Sequence, residues 1–102
     1  MTNAMRLYRR LREAPFPSLG KRVGHFPLWD SIIAGYASRL ADGEAMDDVA
    51  ASEVTADDET LKVVAGLRTK ESRSEEEQAF LDYFALLEEI RLAVVAAARR
   101  RT

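Results

Sequence analysis

The stretch from Ser72 to Arg101 reads as one long amphipathic helix with a marked start and a marked end. Ser74, followed three residues later by Glu77, forms a capping box: the hydroxyl accepts from the N3 amide while the carboxylate accepts from the cap amide. Glu75, Glu76 and Glu77 put negative charge at the positive end of the helix dipole, and Arg99, Arg100 and Arg101 put positive charge at the other end. Between them Phe80, Phe84, Leu87, Val94 and Ala98 recur on helical spacing, flanked by Tyr83, Ile90 and Ala97. From Ser74 to Arg99 such a helix spans about 38 Å. A helix of that length constrains every fold open to this chain.

Three further helices follow from the same periodicity. Ala4, Leu7, Tyr8 and Leu11 share a face, with Arg6, Arg9, Arg10 and Arg12 among the other positions, and Pro15 and Pro17 end this short helix. Residues 15–27 hold all three prolines and form a loop, whose Phe16, Leu19, Val23 and Phe26 are expected to pack on the body. Pro27 suits the first turn of a second helix, where its missing amide hydrogen costs nothing. Trp29, Ile32, Ile33, Tyr36, Ala37 and Leu40 make its apolar face, and Gly43 stops it. Residues 44–56 suit either one or two helical turns around Met46, Val49 and Ala50 or a surface connection. Thr55 and Asp58 offer a cap for a third main helix, with Leu61, Val64, Ala65 and Leu67 on its buried side. Gly66 inside it marks either a close helix crossing or a weak spot costing about 1 kcal/mol relative to alanine.

No segment alternates with a two-residue period, so the class is all-α: a small bundle of three main helices plus the short N-terminal one, with a long C-terminal helix. A chain of 102 residues is expected to be one domain, residues 1–26 supplying the basic helix and loop and 27–102 the bundle. The second helix spans only about 22 Å, so the last helix is expected to overhang it. The overhang presents Ile90, Arg91, Val94, Val95 and Ala98 as an apolar surface for self-association, most simply as a homodimer. Arg91 interrupts the stripe; Glu88 is its local partner, and its stem is expected to pack while its head reaches water.

The residue inventory argues against catalysis. The chain has no cysteine, hence no thiolate nucleophile or thiolate metal site, and His25 is its only histidine. Of the carboxylates, Glu44-x-x-Asp47 stands alone, and Gln78 and Arg91 interrupt the spacing after Glu75 and Glu88. A magnesium site needs convergent oxygen ligands, so a carboxylate metal enzyme is the least favoured reading and no cofactor is expected.

Charge is uneven: +5 over residues 1–26, −11 over 27–89 and +4 over 90–102, within a net charge of −2. The simplest expectation is that the basic ends dock on the acidic middle. The alternative uses Arg6, Arg9, Arg10, Lys21 and Arg22 as phosphate contacts of an accessory nucleic-acid-binding or regulatory protein. An acidic isoelectric point near 5.4 and a spacing between the second and third helices too long for a helix-turn-helix make that reading second. The longest apolar run, Leu92 to Ala98, is far below the roughly 20 residues that cross a bilayer, and the charged first ten residues are not followed by an apolar stretch of the length expected of a signal peptide. The expectation is therefore a cytoplasmic, non-catalytic helical protein that works by protein–protein contact, without membrane association.

Overall fold

A computed structural model describes residues 3–43 and 54–99, and these are all-helical, with no strand among them. Among the described residues four α-helices occur in the order α1 (Asn3–Glu13), α2 (Phe26–Ala41), α3 (Asp58–Thr69) and α4 (Glu75–Arg99), with a 3-10 turn at Leu19–Arg22. Met46, Val49 and Ala50 lie outside the described residues.

Local chemistry accounts for the helix ends. The last turn of α1 closes with Ala14 N–H donating to the Arg10 carbonyl at 3.0 Å, and Pro15 follows. Pro27 sits in the first turn of α2, and the helix ends where Gly43 adopts φ +82, donating to the Leu40 carbonyl at 3.0 Å. The capping box of α4 is formed in both directions: Glu77 N–H donates to Ser74 Oγ at 3.1 Å, and Ser74 N–H donates to Glu77 Oε1 at 2.9 Å. At the C-terminus of α3, the Arg73 guanidinium donates to the Leu67 carbonyl at 3.0 Å.

The cap of α3 is neither Thr55 nor Asp58 but Asp57, whose carboxylate accepts from Thr60 N–H at 3.2 Å and from Thr60 Oγ1 at 2.6 Å. That hydroxyl bond lets Thr60 be fully buried, so the inner face of α3 is Thr60, Val64 and Leu67. Leu61 and Ala65, expected inside, are exposed because they stand about 100° around the helix from that row. A Cβ on Gly66 would meet nothing within 4 Å, so no close helix crossing among the described residues explains that glycine.

α2 and α4 run in the same direction. The Phe26 and Phe80 rings are 4.9 Å apart, Trp29 and Phe84 are 5.4 Å apart, and further along Ile33 and Tyr36 meet Arg91 and Val94. α1 runs the other way: its end, at Arg10 and Ala14, lies beside Ala79 and Asp82, while Leu7, nearer its start, lies beside Glu89. The core is thus built by α1, α2 and α4 packing pairwise, with α3 against α4. Val23 of the loop and Phe26, which the structure places at the first position of α2, are buried in it, and Phe16 and Leu19 pack on it, as the sequence suggests.

This arrangement removes the expected overhang. Ile90, Val94 and Val95 are buried within the chain, because α1 and α2 both pack along α4. α4 is longer than α2, but α1 adds a second helix along it. Ile32, expected in the core, faces outward instead. Ala98 falls outside the described side chains.

Candidate functional site

Arg91 is held rather than displayed. Its Nη2 donates to Glu88 Oε2 at 2.9 Å and its Nε to Glu88 Oε1 at 3.3 Å, and only 14% of its side chain is exposed. The pair sits beside Ile33, Tyr36 and Val94, so the guanidinium meets its carboxylate partner where the side chain packs against the core. Of the surface proposed from sequence at Ile90, Arg91, Val94 and Val95, nothing large and apolar is presented outward.

Two other surfaces are presented. The first is the outer face of α1. Leu7 and Leu11 point inward and Tyr8 packs on the core, which leaves Arg6, Arg9, Arg10 and Arg12 exposed on the opposite side. A groove of about 410 Å³ runs beside Arg6, Arg9 and Arg10, bordered by Glu13 and Glu89. Among the described residues no carboxylate pairs with these four arginines; Arg6 donates to Asn3 Oδ1 at 2.8 Å. Among the described residues the N-terminal basic segment pairs with the acidic middle through the loop, where Arg22 Nη2 and Ser18 Oγ donate to Glu76 Oε1 at 2.9 and 2.8 Å. Arg22 is therefore engaged, while Lys21 is exposed beside it.

The second surface is the back of α2, turned away from Trp29, Ile33, Ala37 and Leu40. Leu28 is 60% exposed and Ile32 37% exposed, with Gly35 between Ile32 and Arg39 on the same side. A Cβ on Gly35 would meet nothing within 4 Å. Sequence reading assigned Ile32 to the wrong face because α2 carries apolar residues on most of its circumference. The missed signal was Leu28, Ile32, Gly35 and Arg39, four residues at helical spacing opposite the aromatic row.

Two buried or half-buried carboxylates complete the polar inventory. Tyr83 O–H donates to Asp30 Oδ1 at 2.7 Å, joining α4 to α2. Burial pushes the Asp30 carboxyl above the usual carboxylate range, against the opposing effect of the Tyr83 bond. Burial and the Asp30 acceptor also push Tyr83 far above its ordinary value, so the phenol keeps its proton. Asp57 is shifted down: burial raises it, but the hydrogen bonds from the Thr60 hydroxyl, Thr60 N–H and His25 N–H together outweigh that. His25 itself is exposed at the cap of α2, where its N–H reaches Asp57 Oδ1 at 3.3 Å, and its ring enters no described site.

Among the described residues no three His, Asp or Glu side chains converge as metal ligands, and no helix is long and apolar enough to cross a membrane. Glu44 and Asp47 lie outside the described residues. Glu76, Glu77 and Glu88 are each occupied by a hydroxyl, an amide or a cation of this chain. Comparison with known protein families, with curated proteins and with solved structures returns no match to this chain.

Proposed function

We propose that the protein acts without catalysis, by protein–protein contact, and that the back of α2 is its contact surface, with a second copy of the chain as occupant. The supporting observation is Gly35. A glycine in the middle of a helix costs about 1 kcal/mol relative to alanine, and no packing among the described residues uses the space that it leaves. Beside it Leu28 and Ile32 are exposed in a row one helix wide. A glycine flanked by aliphatic side chains lets another helix approach closely. Two copies of α2 crossing at Gly35 bury the same patch on both sides and close the assembly.

Sedimentation tests this reading. The parent is expected to be dimeric at tens of micromolar, and Ile32→Glu monomeric with unchanged helical circular dichroism. Gly35→Ala is expected to have opposite effects, stabilising the helix while weakening the dimer. A monomeric parent removes the second copy as occupant, and a dimer that survives Ile32→Glu moves the interface off α2.

A further inference from the structure

We infer that the outer face of α1 docks the phosphate backbone of a nucleic acid, gripping it by charge without reading bases. The middle of the chain carries a large acidic excess, yet Arg6, Arg9, Arg10 and Arg12 pair with no carboxylate among the described residues. They stand within two turns of one helix, where successive turns are about 5.4 Å apart, so a row of anions can meet several at once.

The character of the face selects the partner. Protein interfaces are centred on buried aromatic or aliphatic anchors. On α1 the large apolar residues Leu7 and Leu11 are buried in the core, and Tyr8 packs against it, so the outer side offers charge without an anchor. Phosphate backbones are bound through that kind of contact, because neutralising them releases condensed counterions. Glu13 and Glu89 border the groove and limit its net charge. The contact is therefore small, about three phosphates, with a log–log salt slope of about −2.7. The face lies on a different helix from the contact proposed on α2, so the two fail independently.

The test is fluorescence anisotropy of the full chain with labelled 20-base-pair duplexes of two unrelated sequences, at rising salt from about 20 mM. Expected are equal micromolar affinities for the two sequences, falling steeply with salt. Replacing Arg6, Arg9 and Arg10 together by alanine weakens binding at least tenfold and flattens the slope. Replacing them by lysine retains most of it. Circular dichroism and melting confirm that each variant is folded, and Ile32→Glu binds as the parent does. No binding at low salt, unchanged binding by the alanine variant, or tighter binding of polyglutamate than of the duplexes at equal charge each overturns the assignment. The last of these points to an acidic protein surface instead.

Discussion

Gly24 and Asp57, 33 residues apart in sequence, touch so closely that a Cβ built on Gly24 would fall inside the Asp57 carboxylate. Gly24 holds φ +45, in the left-handed region that favours glycine. The same carboxylate caps α3 through Thr60 and accepts from His25 N–H at the cap of α2. One side chain thus ties the beginnings of two helices together.

Gly24→Ala is expected to destabilise by about 1 to 3 kcal/mol through its backbone conformation, with the Asp57 clash added. Asp57→Ala should cost about 1 to 2 kcal/mol as a lost cap. Because the second substitution also relieves the clash of the first, the double variant should be more stable than the two losses predict together. Urea denaturation of the four proteins measures this, and strict additivity would show that the two residues do not touch.

The cover over the distal half of α4 gives a second prediction. Ile90→Ala removes a fully buried side chain and should cost about 2 to 5 kcal/mol. Leu92→Ala, two residues on and 57% exposed, should change stability by about 0.5 kcal/mol or less. Similar losses at both positions in thermal melts would mean that α1 and α2 do not cover this stretch.

At the start of α4, Ser74→Ala should cost about 1 kcal/mol, since it leaves the Glu77 amide without its hydroxyl. Ser72 is exposed before the helix begins, and its alanine substitution should be near neutral in the same denaturation experiment. A loss at Ser72 with none at Ser74 would move the cap by two residues.

Asp30 and Asp57 should affect acid stability in opposite ways. The carboxyl of Asp30 is raised in the folded state, first by burial, so the fold binds more protons there than the unfolded chain does. Its contribution therefore declines as pH rises from about 4 towards its raised value. Asp57 is lowered, so its contribution is present above about pH 4 and is lost as pH falls through its folded value. Urea midpoints across about pH 2 to 7 separate the two. Asp30→Asn should gain on the parent as pH rises, whereas the disadvantage of Asp57→Asn should shrink towards low pH. Parallel profiles for parent and both variants would contradict the geometry of these carboxylates.

Features set by a few neighbouring residues were legible from sequence. The Ser74–Glu77 box, the Gly43 stop, the Trp29–Ile33–Ala37–Leu40 face and the Glu88–Arg91 pair all lie within a few turns of one helix, and all stand in the structure. Each depends on helical period or on the chemistry of a helix end, and both are local. The same reasoning failed where two faces of one helix were both apolar, so that Ile32 and Leu61 were expected inside and are exposed.

What the sequence determined by itself was an all-helical chain, the α4 cap, and which residues of α1 face inward. Tertiary structure alone decided that α1 lies antiparallel along α4, and that Ile90, Val94 and Val95 are buried within the chain. It also decided that Asp57, rather than Thr55 or Asp58, caps α3 while meeting Gly24, and that the α1 arginines are left without carboxylate partners among the described residues. The physical reason is that periodicity shows that a helix has a face to bury but not which element buries it. That choice depends on how the loops close and on which surfaces fit, across separations that no local pattern encodes.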